Sequence, residues 1–568
     1  MFKGQPKGLF ITALANLGER FGYYTMIAIF VLFLQAKYGY TEAAAGEIYA
    51  VFLLFVYFLP LFGGIIADRW LGYRKTANIG MVVMFIGYLL LAFPTIMGGN
   101  EKIAVFAALA VIALGTGLFK GNLQALVGKM YDNPAYEKKR DSGFSVYYMF
   151  INVGAMFAPT AAQGVVNLVL KKASLTYDSR IPELFHKLDA GGLSEAAQST
   201  FLGIAQTQDA TVTMESLHTF GSQYINTLGG SYQLGFGVAC LSLICSFLIF
   251  VLGKKILINS ETIRKTDAQS AKTHYDEISP KETRERIIAL LLVFAAVIFF
   301  WMAFHQNGLT LTYFARDYTD TSVGKYTNIW FDLFTLIPVA ISLICFYFGF
   351  KKYEGKNEKT GFFADGKKRI IYLAFALLAA VWAWLRISGY AESNPFTPQL
   401  FQHFNPFFIV LLTPLSVGLF NSLASKGKEP TAPKKIAYGM IIAGLAYLVM
   451  VMSSVGLLSP MDRGEIVDYT RVTPYWLIST YFILTIAELF ISPMGISFVS
   501  KVAPPKFKGM MQGGWFASTA IGNFLIMVGS HFWARVPLWS LWLIFVVCCS
   551  LSALFMFTIM KRLEKVAK

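Results

Sequence analysis

Glu19 and Arg20 stand side by side in an apolar run that extends from about Leu9 to Leu34. A run of roughly 20 apolar residues is enough to cross the hydrocarbon core of a bilayer. Charges held at that depth are costly unless they pair or face water. Neighbouring residues on a helix point in different directions, so the pair is expected to line a polar cavity rather than only to staple two helices. Lone charges recur in other apolar runs, as Lys120 and Glu488. Arg20 offers a bidentate fork and Lys120 a point charge, and both suit a carboxylate. Glu488, with Asn152 and Asn405, suits an ammonium group. Together they can hold the two ends of a zwitterion. Tyr23, Tyr24 and Tyr57 can hydrogen-bond the body of such a solute, although any one Asn or Tyr can equally serve a helix–helix contact.

The elements that must position these residues are membrane spans. The chain has 568 residues, 55% hydrophobic and 14% charged, which excludes a large soluble enzyme. Fourteen apolar runs have spanning length: 9–36, 45–67, 77–98, 103–128, 142–169, 232–253, 286–307, 329–350, 369–388, 405–424, 436–458, 474–498, 509–530 and 537–560. Pro406 and Pro414 weaken the tenth. Met1 to Lys7 is short and basic, and the apolar run behind it is too long for a cleavable leader.

Lys and Arg gather on one side of these spans: Arg69, Arg74 and Lys75; Lys129, Lys138, Lys139 and Arg140; Lys254, Lys255, Arg264 and Lys265; Lys351, Lys352, Lys367 and Lys368; Lys426, Lys428, Lys434 and Lys435; and Lys506 and Lys508. The opposite loops are poor in cations or mixed, as in Asp462, Arg463, Glu465 and Asp468. The bias predicts that both termini are cytoplasmic. It also accounts for the net charge of +16 without nucleic acid as a partner. Five cysteines lie in apolar runs without metal-site spacing and read as packing residues; no metal or other cofactor is implied. No glycosylation sequon occurs, which leans towards a prokaryotic source.

The predicted organisation is an N-terminal six-helix bundle over 1–253, a charged linker over 254–285, and a C-terminal bundle over 286–568. The first bundle carries an external polar insertion at 170–231, in which Ser194 is placed to cap a helix. The second carries an accessory helix pair at 329–388. An inserted hairpin returns the chain to the same side, so a core of six plus six spans is preserved, with a site near the midplane.

The residues Gly63-Gly64-Ile65-Ile66-Ala67-Asp68-Arg69-Trp70-Leu71-Gly72-Tyr73-Arg74-Lys75 resemble the signature loop of the major facilitator superfamily. In it Gly63, Gly64 and Gly72 allow close helix approach and turning, and Asp68 can pair with Arg69 or Arg74 or cap a helix. Asn16 to Tyr24 resembles the first-helix signature of the proton-dependent oligopeptide transporter family, usually E-x-x-E-R-F-x-Y-Y. Gly115 to Asn122 resembles its fourth-helix motif, with Gly121 in place of the usual Pro. Phe144 to Gly154 resembles its fifth-helix signature, and Asn405-Pro406, Glu488 with Ser492-Pro493, and Trp515 resemble its eighth, tenth and eleventh core helices.

The resemblance implies an all-α integral membrane protein of major facilitator fold with fourteen spans, importing di- and tripeptides by proton symport through alternating access. It implies peptides, protons and membrane lipid as partners, a functional monomer, a bacterial cytoplasmic membrane and no enzymatic step. Arg20, Tyr23, Tyr24, Tyr57, Lys120, Asn152, Asn405, Glu488 and Trp515 would bind substrate. Three departures stand out: Asn16 replaces the first Glu, Ile27 stands where some relatives carry Arg, and His305 in Phe300–Gln306 replaces a Glu. Coupling then falls to Glu19, His305 or Glu488. The alternative is a transporter or facilitator of another small zwitterionic or anionic solute with weak proton coupling. A membrane hydrolase would need a nucleophile–base pair or metal cluster that the sequence does not display.

Overall fold

The computed structural model describes residues 4–98, 100–133, 135–261, 279–350, 362–466, 469–504 and 507–567. The predicted loop residues Arg264, Lys265, Lys351, Lys352, Lys506 and Asp468 lie outside these, as does most of the linker. The first half contains α1 (Lys7–Tyr38) and α2 (Glu42–Phe58), the latter continued by Pro60–Ile66 and a π turn at Ala67–Leu71. It goes on through α3 (Tyr73–Ala92), α4 (Glu101–Met130) and α5 (Arg140–Lys172). Two short helices follow, α6 (Arg180–Asp189) and α7 (Glu195–Gln208), then the long α8 (Leu217–Leu252). The second half contains α9 (Pro280–Phe304), α10 (Thr310–Asp317), the pair α11 (Leu333–Phe350) and α12 (Phe362–Ser388), then α13 (Phe404–Ser425). It closes with α14 (Ala432–Ser453), α15 (Tyr475–Val502), α16 (Lys508–Leu525) and α17 (Leu538–Thr558).

Thirteen helical segments among the described residues are long and apolar enough to cross a membrane. The predicted run 509–530 is helical as well. It breaks at Ile526 between α16 and a short turn, Met527–Phe532, and its Gly, Gln and Ser content makes it the most polar of the series. With it the crossings are even in number, so both termini fall on one face, the terminal face; the other is the far face. The six helices of each half pack mainly among themselves. Small residues allow this: a Cβ on Gly80 of α3 would lie 2.7 Å from the Gly115 carbonyl of α4. Between the halves, α2 runs against α16, and α5 runs against α13 and the 3-10 turn before it.

Two features differ from the sequence reading, each for a physical reason. The insertion shortens to 173–216, because α8 begins at Leu217 and rises beyond the apolar run that marked its start at 232. Ser194 does cap α7, its hydroxyl accepting from the Ala197 amide at 3.4 Å. The seventh core span is discontinuous. After α9 the chain passes through a 3-10 turn at His305–Gly308 before α10 resumes. A broken helix is tolerated where other groups take up the freed backbone polar atoms. Here Tyr481 donates to the Asn307 carbonyl at 2.9 Å, and Gln306 donates to the Ile526 carbonyl at 3.0 Å, stitching one helix break to the other. Pro406 falls in the first turn of α13 and Pro414 inside it, and the helix runs on to Ser425.

The pair α11 and α12 packs chiefly on itself and turns Phe346, Leu377, Leu378 and Trp384 outward. At its far-face end Asp332 accepts from Arg386 at 2.6 Å and from Tyr390 at 2.7 Å. Burial alone would raise the Asp332 carboxyl. The Arg386, Tyr390 and Thr335 hydrogen bonds outweigh it and hold the group below its usual range. A two-residue ladder of β1 (Ser322–Val323) with β2 (Asn394–Pro395) ties the hairpin to the second half.

Candidate functional site

The charges singled out in the sequence fall into two groups between the halves. Glu19 and Arg20 of α1 are both buried and close on each other in a two-pronged pair, with Nε–Oε2 at 2.5 Å and Nη2–Oε1 at 2.6 Å. Adjacent helical residues were expected to point apart. The length of the arginine side chain lets its fork double back on the neighbouring carboxylate. Arg20 also lies over the Tyr23 ring at 4.6 Å. Lys120 of α4 sits over the Tyr57 ring at 3.6 Å, half-buried, with no carboxylate within ion-pair distance among the described residues. Arg20 and Glu19 both lie within its electrostatic reach.

Tyr57 in turn meets the His305 ring edge-on at 5.9 Å, and His305 stacks on Trp301 at 5.3 Å. Nδ1 of His305 lies 3.2 Å from the Trp301 carbonyl. The imidazole that replaces the usual Glu therefore caps the last turn of α9 just where the helix breaks, and Nε2 is left for a ligand.

The acidic group lies on the second half. Asn405 of α13 donates to Glu488 Oε2 at 2.8 Å and to Thr485 Oγ1 at 3.1 Å, and Tyr148 of α5 reaches Glu488 Oε1 at 3.4 Å. Glu488 is thus buried among neutral donors, with no cation paired to it among the described residues. Tyr24 lies within electrostatic reach of both Arg20 and Glu488. Among the described residues, Lys120 on the first half has aromatic cover, and Glu488 on the second has neutral donors. Such an arrangement is incomplete until a ligand brings the opposite charges.

Two expected site residues make other contacts. Asn152 donates to the Tyr148 carbonyl of its own helix at 3.0 Å and lies within hydrogen-bonding reach of the Tyr148 side chain that meets Glu488. Trp515 is buried, packed on Gly495 of α15 and edge-on to Phe294 at 6.4 Å. Tyr148, Thr485 and Trp301 were not singled out. Thr485 sits one helical turn before Glu488, which is the signal that could have found it.

In the loop motif, Gly63 is where α2 crosses α4. A Cβ there would lie 2.1 Å from the Gly117 carbonyl, and Asn122 donates to the Gly63 carbonyl at 3.0 Å. Gly64 faces open space. Gly72 adopts φ 74°, which favours glycine, and turns the chain from the π segment into α3. Asp68 accepts from the Tyr73 hydroxyl at 2.5 Å, and Arg69 and Arg74 flank that turn on the terminal face.

On the far face the halves are sealed by paired charges. Arg316 at the end of α10 pairs with its neighbour Asp317 at 2.6 Å and with Glu42 of α2 at 2.9 Å, and donates to Gln35 of α1 at 2.6 Å. Tyr313 adds a hydrogen bond to the Glu42 carbonyl at 3.0 Å.

A sequence model described as the POT family matches residues 74–167 and 380–539, one segment in each half. Among curated proteins, the "Di-/tripeptide transporter" of Lactococcus lactis subsp. cremoris is 25% identical over 91% of this chain and 87% of its own. The "Peptide transporter YePEPT" of Yersinia enterocolitica is 24% identical over 93% and 88%, and the "Uncharacterized transporter YclF" of Bacillus subtilis is 25% identical over 94% and 90%. A crystal structure of the peptide transporter POT in complex with sulfate shares the fold with a TM-score of 0.64 at 21% identity, covering 100% of this chain and 96% of that one. A POT family transporter in complex with 5-aminolevulinic acid follows at 0.62 and 19%, covering 100% and 98%. With both bundles matched by the family model, relatives aligned over nearly the whole chain and the fold shared, this chain belongs to the POT family of transporters.

Proposed function

We propose that this protein imports di- and tripeptides by proton symport, through alternating access to the cavity between its halves. The observation that carries the reading is a charge of each sign without an ion-pair partner among the described residues, Lys120 over Tyr57 on one half and Glu488 of the other held by Asn405 and Tyr148. A peptide carboxylate completes Lys120, its ammonium completes Glu488, and Tyr24 and Tyr57 accommodate the backbone between them. Glu19 carries the proton. Protonation releases it from Arg20 and frees that guanidinium for the substrate carboxylate. Rocking then follows from unequal affinity for the two conformations. The peptide-transporting relatives support the substrate class.

In this reading the terminal face is cytoplasmic, the membrane is a bacterial inner membrane, and the monomer is the working unit. His305 supplies an acceptor at Nε2, with Nδ1 turned to the Trp301 carbonyl. The loss of carboxylates at Asn16 and His305 favours one second reading, a facilitator with weak coupling.

Uptake of labelled dialanine into proteoliposomes, with and without an inward proton gradient at matched membrane potential, tests the proposal. Accumulation above equilibrium only with the gradient is expected. Equilibration that ignores the gradient would establish the facilitator, and no entry at all would remove peptides as the substrate.

A further inference from the structure

We propose that the insertion between α5 and α8 is a strap, rooted in the first half, which holds the far face shut by gripping the loop between α14 and α15 of the second half. The proposal rests on the alternating-access reading above, but not on which solute is carried.

The root is firm. His186 of α6 lies against the Ala36 carbonyl of α1 at 2.8 Å, and the Phe185 ring covers Gly221 at the base of α8. Tyr224 of α8 donates to the Thr176 carbonyl at 2.9 Å and accepts from the Asp178 amide at 2.7 Å. Thr176 also bonds Gln208 at the end of α7. These bonds fasten both ends of the insertion to helices of the first half.

The grip is formed on three consecutive residues of the second half. Glu183 accepts from Arg463 at 2.5 Å, Lys187 donates to the Gly464 carbonyl at 3.1 Å, and the Ser194 amide and hydroxyl both donate to Glu465. The gripped loop is itself fixed to its own half. Arg463 donates to Tyr469 at 2.8 Å and faces Asp317 at 4.0 Å. The Val472 amide donates to the Tyr318 carbonyl at 2.8 Å, and Ser459 accepts from the Leu538 amide at 3.0 Å. Neither anchor can yield by simple loop motion. Parting the halves on this face therefore requires the three grips to break together with Arg316–Glu42.

Arg463 is only 9% exposed, while the Glu183 side chain is 39% exposed, so the pair is partly withdrawn from water. The groups facing Glu183 are Arg463, Lys187 and Asp317. Burial would raise its carboxyl, but the two cations outweigh burial and Asp317 and hold it below the usual range. The grip consequently persists at any pH where ordinary carboxylates are ionised, and mild external acid does not release it.

Hydrogen exchange of the full chain in lipid nanodiscs tests this without a substrate. In the variant Glu183→Gln/Lys187→Gln/Glu465→Gln, exchange at residues 30–45 and 309–320 is expected to rise at least about threefold, with a matching slowing on the terminal face as the population shifts outward. Faster exchange confined to 176–216 and 459–472, or none, would overturn the proposal. Should that variant fail to fold, Ser194→Cys with Glu465→Cys gives a second arm. Once mass spectrometry shows the cross-link, far-face exchange should slow in the oxidised protein relative to the reduced. Equal exchange in both would also overturn it.

Discussion

The cavity and the far-face seal are built from the same residue types and treat them in opposite ways. In the seal every named charge has an opposite charge: Arg316 has Asp317 and Glu42, and Arg463 has Glu183. In the cavity Lys120 has a tyrosine ring, and Glu488 has an amide and a phenol. Matched buried charges resist separation, because parting them strands each in a poor dielectric. Unmatched ones are unfavourable alone and strengthen any ligand that completes them. In the proposed reading one region stays closed until driven, and the other binds. The Glu19–Arg20 pair is the intermediate case. It is matched at rest, yet its partners are neighbours on one helix, so opening it separates no domains.

The comparison breaks most visibly at the cavity. Lys120→Ala and Glu488→Gln should each reduce concentrative uptake at least about 30-fold, since losing one partner of a charged recognition pair costs about 2 kcal/mol or more. Full transport by both would remove them from the site. Arg316→Ala should act differently, leaving Asp317 and Glu42 without their shared cation at a cost of about 3 kcal/mol. Thermal unfolding in detergent should fall clearly while peptide binding persists; an unchanged melting temperature would contradict the seal.

The smallest effect is expected far from either region, at the hairpin. The Asp332 carboxyl is held low in the fold, so the stability it lends is present above the ordinary aspartate range and is lost only as pH falls through the depressed value. Asp332→Asn should cost about 1 kcal/mol or less, since Arg386 is well exposed. Melting curves at neutral pH should differ slightly from wild type, and the difference should disappear in strong acid.

Much of the fold was legible because apolar run length reports a membrane crossing directly, and the charge bias orders the crossings. Lys120 and Glu488 stood out for the same reason, as charges where charge is costly. The predicted run 286–307 stops at the His305–Gly308 break, but the resumption of the span as α10 was not legible: Thr310–Asp317 is short and partly polar, and the break is sustained by Gln306 bonding Ile526 and by Tyr481 reaching Asn307. The early start of α8 at Leu217 was hidden because its first turns are polar and stand clear of the apolar run. The far-face seal was also missed. Arg316 and Asp317 adjoin in sequence, but Glu42 and Gln35 are brought to them only by the docking of the two halves.

Titration calorimetry of dialanine against the purified wild type, Lys120→Ala, Glu488→Gln and Arg316→Ala tests the central contrast most directly. The account predicts that the two cavity variants lose affinity by about 30-fold or more, while Arg316→Ala binds within a few-fold of wild type. Equal losses in all three, or undiminished binding by the cavity variants, would contradict it.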